Sequence, residues 1–323
     1  MDRMLDKFFA LSARLHFRAV LDFNLVLMLL GTWLGLLGRF HWALDLFSHF
    51  RWQYVILCGV ALLWSLIAKR SRLMIGFCLA SLAMNVSDLY QARGNESWAK
   101  EEGVKLRVVS LNVLTGNPQK QVVLDYLRST QAEVIFLMEV DAAWGEALES
   151  LKLDYPHHLL GSREDNFGVA LFSRVPLLSV EVWQSSPASM PSIQARLMHD
   201  GQEMVILGVH PLPPIGPRLA ARRDWQLQEI GQRVAMLNQP VLVVGDLNAT
   251  PWSSGMKLIR QGNELAFRSP APAWTPTWQV GTPVAVPIDH ALCTPPLVIA
   301  GRKIGPDVGS DHRPQELEVG WAP

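Results

Sequence analysis

Cysteine is nearly missing from this chain, and the little there is lies scattered: Cys58 and Cys78 in apolar runs, Cys293 alone in a strand-like segment. Disulfide frameworks and cysteine metal sites both need paired spacings, so both are excluded. Small buried hydrophobes are the reading that fits these thiols, and an oxidising compartment is permitted without being indicated. Net charge is missing too, with 29 Lys and Arg against 29 Asp and Glu. That zero conceals a division: residues 1–93 carry ten basic and five acidic side chains, and residues 94–323 carry nineteen and twenty-four, a net −5. Proteins that grip long duplex DNA draw most of their non-specific affinity from neutralised phosphates and carry a basic face. The acidic C-terminal part therefore argues against tight nucleic-acid binding. Internal repeats and low-complexity tracts are absent as well, so repeat architectures fall away.

What the first 93 residues do have is long uncharged apolar stretches. Leu25–Gly38 extends back through Ala19–Leu21, and Trp52–Ala68 and Leu73–Ser87 follow. A spanning helix needs about 20 mostly apolar residues, and three transmembrane helices are expected, over about 19–38, 52–68 and 73–90. A removable secretory signal would be a single run. A buried helical core in a soluble protein would need partner amphipathic helices to cover it. Arg3, Lys7, Arg14 and Arg18 in the tail, with Lys69, Arg70 and Arg72 in the second connection, outweigh Arg39 and Arg51 in the first, where Trp42, Trp52 and Tyr54 cluster. The positive-inside rule keeps the tail and second connection in the cytoplasm. Three spans then carry everything after Tyr90 to the outer side of the cytoplasmic membrane, the periplasm in a Gram-negative cell. Gly31-x-x-x-Gly35 is a weak helix-packing pattern.

Residues 94–103, with Gly, Asn and charged side chains, read as a linker, and 104–323 as one α/β domain. Val104–Val113, Val134–Met138, Phe167–Ser173, Ile193–His199, Met204–His210, Val241–Val244, Ile288–Cys293, Leu297–Lys303 and Gln315–Val319 read as strands. Pro118–Ser129 (proline in the first turn), Ala142–Leu151 and the amphipathic Arg218–Leu237 read as helices. Strands alternating with helices predict a layered α/β domain. Ser269–Pro287, rich in Pro and Trp, is expected to be a long loop bordering a site.

Polar residues recur where the strands end, the place where open α/β architectures put their ligands. These are Ser110-Leu111-Asn112, Met138-Glu139, Gly208-Val209-His210, Gly245-Asp246-Leu247-Asn248, Ile288-Asp289-His290 and Gly309-Ser310-Asp311-His312. Each has a plain alternative: Asn112 as a turn starter, Glu139 as a helix cap, His210 as a rim residue before two prolines. Together they supply what phosphoester hydrolysis requires. Hard oxygen ligands hold Mg²⁺ or Mn²⁺, a base takes a proton from water, and amide donors face the oxygens where charge builds up.

In this order, with Gly168-Val169-Ala170-Leu171-Phe172-Ser173-Arg174 between the second and third clusters and Arg313-Pro314 closing the last, the sequence resembles the endonuclease/exonuclease/phosphatase superfamily from about Lys105 to the C-terminus. The resemblance implies a deoxyribonuclease-I-like fold, a four-layer αββα sandwich. It implies that Glu139 is the principal metal ligand, helped by Asn112 and Asp311. It makes His312 the general base, oriented by Asp289. It further implies that Asp246 and Asn248 position the nucleophile and the scissile phosphate, and that His210 binds the phosphate or protonates the leaving oxygen. Leu114 stands where some DNA-repair members carry an acidic residue, which argues against an abasic-site enzyme. Three spans before such a domain resemble the membrane-anchored branch that includes glycopeptide-resistance proteins.

Other features weigh less. Arg218, Arg222 and Arg223 are either phosphate grips or a solvated helix face. Trp274 and Trp278 stack on a substrate ring, line an acyl path or anchor the loop, while Trp183 and Trp225 are expected to pack. His290 falls on the opposite strand face from Asp289 and is expected to be structural. The expectation is a metal-dependent phosphoester hydrolase acting on a lipid-linked or other phosphate ester or diphosphate. A membrane-tethered nuclease is the rival within the enzyme class, and a non-catalytic receptor or scaffold the rival outside it. No oligomeric state follows from the sequence.

Overall fold

The structure, a computed structural model, describes residues 19–20, 22–27, 29–93, 105–185, 190–268 and 272–323. Arg3, Lys7, Arg14, Arg18, the 94–103 linker and residues 269–271 of the expected loop lie outside the described residues. The chain divides into two compact units, Met1–Tyr90 and Gln91–Pro323.

The first unit is helical: α1 (Asp22–Gly35), α2 (Trp42–Ser48), α3 (Arg51–Ile67) and α4 (Arg72–Gln91). Three spanning helices are expected from sequence, but among the described residues only α4 is long and apolar enough to cross a membrane by itself. Its 20 residues rise about 30 Å, the thickness of a bilayer core. The 17 residues of α3 reach only about 25 Å. With α2, which meets it at a 65° bend, α3 passes the test as a broken span. The apolar run before Gly38 ends in a turn after Gly35, so α1 is shorter still.

This unit buries a polar network beside a small apolar cluster of Leu25, Leu29, Cys58, Ala61 and Cys78, and exposes large apolar side chains. Arg51 is buried and pairs with Asp88 at 2.8 Å, and it donates to the Thr32 carbonyl and to Asn85 Oδ1 at 3.2 Å each. Asn85 donates to Thr32 Oγ1, and Trp33 Nε1 to Ser81 Oγ. Ile56, Val60, Leu63, Ile67, Leu73 and Val86 face outward. Arg51–Asp88 joins the start of α3 to the end of α4, and Asp22–Arg70 joins the start of α1 to the turn after α3. The helices therefore run up, down and up, and α4 ends level with the start of α3, at the far end from Lys69–Arg72.

The second unit is built on two mixed sheets. One has the order β10-β11-β1-β2-β4-β3, from β1 (Leu106–Asn112), β2 (Val134–Met138), β3 (His157–Gly161), β4 (Val169–Ser173), β10 (Leu297–Ile304) and β11 (Gln315–Trp321). The other has the order β5-β6-β7-β8-β9, from β5 (Leu177–Ser185), β6 (Met190–His199), β7 (Gln202–Val209), β8 (Val241–Asp246) and β9 (Asp289–Cys293). Every residue of β2, β4, β8 and β9 is buried, which explains why β2, β4 and the first four residues of β8 read as apolar runs rather than as alternations; β9 is buried as well but opens with the polar Asp289 and His290. Val108, Phe136, Met138 and Leu171 meet Ile206, Leu242 and Val244 between the sheets. Outside the first sheet, α5 (Lys120–Ser129) and α6 (Ala142–Leu148) pack Val123, Leu127, Trp144 and Leu148 onto Val109, Leu111 and Ile135. Outside the second, α7 (Pro217–Met236) and α8 (Ser254–Ile259) pack Leu227, Ile230 and Met256 onto Val205, Leu207 and Val243. The layers are thus α, β, β, α. The sheets come so close at Gly208 that a Cβ there would sit 2.4 Å from the Phe136 ring.

In the second unit, two strands and a helix have no counterpart in the sequence reading. β3 is only partly buried along its length, and β5 has exposed residues on both faces of an edge strand, so neither carries a clean apolar period. The six residues of α8 are too few to show one.

Candidate active site

Strand register gathers the polar clusters at one end of the sandwich. Asn112 lies opposite Met138 in the parallel β1–β2 pair. Val209 lies opposite Gly245, and Asp246 opposite Asp289. Glu139 follows β2 with φ +62, and Asn248 follows β8 with φ +47. These left-handed turns, sparsely populated by side chains with a Cβ, turn each chain out of its strand at the rim. Asp141, not Glu139, caps α6, accepting from Trp144 N at 2.7 Å. That leaves the Glu139 carboxylate to Asn112 Nδ2, at 2.9 Å, and Thr115 N, at 3.2 Å.

His312 and Asp289 form the centre. Nδ1 of His312 lies 2.8 Å from Asp289 Oδ2, and Nε2 lies 3.6 Å from Asp246 Oδ2 and 3.4 Å from Asn112 Nδ2. All four side chains are buried. Burial opposes the charge on His312, but the Asp289 and Asp246 carboxylates outweigh it and lift its pKa to about 10. Asp246 is pushed up by burial to about 7, against the pull of His312. For Asp289 burial also pushes upward, but the His312 charge and hydrogen bond prevail and hold it below the ordinary carboxylate range. Without a cation, a proton shared between the two carboxylates therefore rests on the imidazole. Thr277 anchors the dyad from below, its Oγ1 accepting from Asp289 N at 3.1 Å. Ser310 Oγ donates to the Asn112 carbonyl at 2.7 Å and accepts from His312 N at 3.1 Å, tying the last motif to the first strand.

His210 sits beside this group, Nε2 3.7 Å from Asp246 Oδ2, with the Phe167 ring tilted against it at 5.1 Å. Burial, reinforced by the charge on His312, pushes its pKa down to about 3. It is therefore a neutral imidazole at physiological pH, suited to donating one hydrogen bond rather than to carrying charge. Asn248 donates its backbone N–H to Asp246 Oδ1 at 2.8 Å and its Nδ2 to the Pro211 carbonyl at 3.0 Å.

The expected metal ligands are divided. Asn112 Oδ1 accepts from Leu114 N at 3.0 Å, so its NH₂ faces Glu139 and His312. Through that NH₂ it holds the Glu139 carboxylate in place. Asp311 is held from the loop side, Oδ2 accepting from Trp278 Nε1 at 2.9 Å, while its Oδ1 is buried without a hydrogen-bond partner. Among the described residues, Asp246, Asp289 and His312 are the one set of three His, Cys, Asp or Glu side chains whose ligand atoms lie within 4.8 Å of one another. These are the side chains of the dyad itself and of the carboxylate beside its Nε2. Glu139 and the unsatisfied Asp311 Oδ1 are the hard oxygen donors that fit Mg²⁺ or Mn²⁺.

Several contributors escaped the sequence reading. Thr115, Thr277, Ser310 and Gln279 act through backbone or second-layer contacts that no motif spacing displays, although Ser310 stood inside the final motif. Arg223, weighed as a phosphate grip or a solvated face, is neither: it is buried, and NH1 donates to the Asn248 carbonyl at 2.7 Å. Trp225, expected to pack, is 38% exposed. His290 is buried, with Nε2 2.8 Å from the Ala249 carbonyl, and burial pushes its pKa to about 4.

A two-sheet αββα sandwich carrying a carboxylate–imidazole pair and hard oxygen donors at one end defines the deoxyribonuclease-I-like class. The profile of the Endonuclease/Exonuclease/phosphatase family matches residues 109–312, and the chain belongs to that family. Family membership makes it a phosphoester-acting hydrolase. No curated protein matches it in sequence. Among solved structures it is similar to D. rerio TDP2 complexed with single strand DNA product, with TM-score 0.57 and 17% identity over 67% of this chain and 99% of that one. It is also similar to an endonuclease/exonuclease/phosphatase from Beutenbergia cavernae, with TM-score 0.54 and 19% identity over 68% and 72% of the two chains. A beta toxin variant from Staphylococcus aureus with bound magnesium ions gives TM-score 0.51 and 17% identity over 67% and 99%. At these identities the likeness establishes the fold alone.

Proposed function

We propose that this protein is a Mg²⁺- or Mn²⁺-dependent phosphoester hydrolase anchored in the cytoplasmic membrane. Its catalytic domain would lie on the outer face, acting on a lipid-linked phosphate ester or diphosphate. The observation that carries the chemistry is the buried Asp289–His312 pair at 2.8 Å. With Nδ1 committed to Asp289, the tautomer is fixed and Nε2 is the nitrogen left to work on water. Water attacks phosphorus, its proton passes to His312 Nε2, and the bond to the leaving oxygen breaks on the opposite side. Asp246, braced by Asn248 N–H, orients the water. Asn112 NH₂ and the His210 ring offer donors to the phosphoryl oxygens. Glu139 and Asp311 would hold the cation, which when bound supplies positive charge that neutralises the phosphoryl oxygens and opposes the proton on His312.

The lipid side of the proposal is supported by the first unit. A helix of bilayer length, outward apolar side chains and an interior ion pair are what lipid surroundings favour. The excess of positive residues at the tail and at Lys69–Arg72 favours an outward catalytic domain. The net charge of −5 over residues 94–323 disfavours DNA and RNA as substrates.

The test is parallel turnover by the full chain in detergent, with and without Mg²⁺, of a lipid diphosphate, a soluble phosphodiester, and single- and double-stranded DNA. Metal-dependent lipid hydrolysis that His312→Ala abolishes is expected. DNA cleavage without lipid turnover would make the protein a tethered nuclease, and no metal-dependent turnover of any phosphoester would leave it a non-catalytic scaffold. Reporter fusions after Trp98 test the topology, and a cytoplasmic signal there would overturn the outer-face placement.

A further inference from the structure

The loop before β9 is a built element. Trp278 and Val286 exchange backbone hydrogen bonds at 3.1 and 3.2 Å, closing a β-hairpin whose tip runs from Gln279 to Ala285. Its first strand is also paired with the catalytic segment: Gln279 N donates to the Asp311 carbonyl at 2.9 Å, and Arg313 N to the Thr277 carbonyl at 2.7 Å. Side chains repeat the link, since Trp278 Nε1 and Gln279 Nε2 both donate to Asp311 Oδ2. Residues 280–284, Val-Gly-Thr-Pro-Val, are all exposed, Val280 at 37% and Val284 at 46%. Not one Asp, Glu, Lys or Arg occurs from Ser269 to Ile288. Gly281, Thr282 and Pro283 make the turn, and the two valines that flank them are held out beside the site on a fixed scaffold, as at an interaction surface.

A second loop joins it. β7, β8 and β9 are in register at this end of their sheet, so the segment after His210 leaves from the same rim as the hairpin. That segment, Pro211–Pro217, is also uncharged, and its Ile215 is 73% exposed.

We propose that the Trp278–Val286 hairpin, with Ile215 beside the same rim, is a lipid-docking surface that seats the active-site mouth on a bilayer and selects substrates whose phosphate lies at a lipid headgroup. The proposal rests on the hydrolase reading above and names how that site meets its substrate. A lipid surface is the occupant favoured because both loops lack charge altogether, where a protein partner's interface would carry a polar or charged rim. The chain also holds α4, a helix of bilayer length. Fourteen residues separate α4 from β1, a tether no longer than about 50 Å fully extended. The pairing of hairpin and catalytic segment means that a tip fixed in the headgroup layer also fixes Asp311 and His312.

The experiment uses the full chain reconstituted in phosphatidylcholine vesicles. Val280→Asp/Val284→Asp is compared with wild type on a diphosphate lipid in the bilayer and on bis(p-nitrophenyl) phosphate in solution. An environment-sensitive fluorophore on Val284→Cys reports the tip's surroundings, the three native thiols being buried. Expected are a loss of about ten-fold or more on the lipid substrate, the scale set by burying one or two valine-sized groups, unchanged turnover of the soluble ester, and quenching of the label by brominated lipid. The soluble ester also verifies that the variant folds. Equal losses on both substrates, no loss on either, or a label quenched from water but not from lipid would overturn the docking surface while leaving a hydrolase. A label that responds to protein concentration instead would make the hairpin a contact between copies and equally overturn it. If wild type turns over neither substrate, the hydrolase reading fails, and the label alone then decides whether the tip meets lipid.

Discussion

Asp289→Asn is the most informative perturbation, because it keeps the shape of the dyad and removes its charge. In the metal-free protein His312 rises from an ordinary value near 6.5 to about 10. Each pH unit corresponds to about 1.4 kcal/mol, so the neighbouring carboxylates, net of the opposing burial, favour the charged imidazole by about 5 kcal/mol. The sign follows from the raised folded value: this stabilisation is complete below about pH 6.5 and is lost as pH climbs through about 10. Removing Asp289 from a buried pair also leaves His312 facing burial with Asp246 alone, for a cost of about 3–5 kcal/mol at neutral pH. For a domain of this size that is a fall in Tm of roughly 10 °C. Calorimetry of both proteins with a chelator, at intervals from pH 6 to 10.5, is the assay. The gap between them should be widest near pH 6.5 and close steadily toward pH 10.5. A gap below about 1 kcal/mol, or one that does not change with pH, would refute the claim that the pair is a buried, charged dyad. In the metal-loaded enzyme the same variant should lose about 10²–10⁴-fold in turnover of a soluble ester.

Glu139→Gln should raise the Mg²⁺ concentration for half-maximal activity by at least about ten-fold, because an amide offers one neutral oxygen in place of a charged pair; a metal titration of turnover measures it. Trp278→Phe removes the donor to Asp311 Oδ2 and should weaken metal-supported turnover by about ten-fold, while calorimetry finds a change of only about 1 kcal/mol, the worth of one hydrogen bond. Gly245→Ala should abolish folding or destabilise by more than about 3 kcal/mol, since a Cβ would sit 1.9 Å from the Val209 carbonyl oxygen at φ +142; expression and thermal unfolding report it. Asp246→Asn keeps the shape but removes the carboxylate 3.6 Å from His312 Nε2, and should lower metal-supported turnover of a soluble ester by about 10²-fold, which steady-state kinetics measures.

Much of this protein could be read from its residues. The strands β2, β4 and β8 are apolar runs buried on both faces, and burial on both faces is what an unbroken apolar run encodes. That Asn112, Glu139, His210, Asp246, Asp289 and His312 stand at strand ends was legible too, and the strand register then brings those ends to one rim. The edge strands β3 and β5 were not legible, because half-buried or solvent-facing edges leave no period in the sequence. The count of spanning helices was overdrawn for a related reason: hydropathy measures how apolar a run is, not where its helix begins and turns, and Gly35 and Arg51 set those limits.

By itself, then, the sequence determined which residue types were available to the site, which segments were apolar enough to be strands, and that the first 93 residues differ in composition from the rest. Only the tertiary structure decided how those residues are used. Asn112 turns its donor rather than its oxygen toward Glu139, Arg223 supports Asn248 from within, and Trp278 holds Asp311 from a hairpin 33 residues away in the chain. Such assignments depend on which hydrogen-bonding groups burial leaves unsatisfied, and that is a property of three-dimensional packing that no linear spacing records.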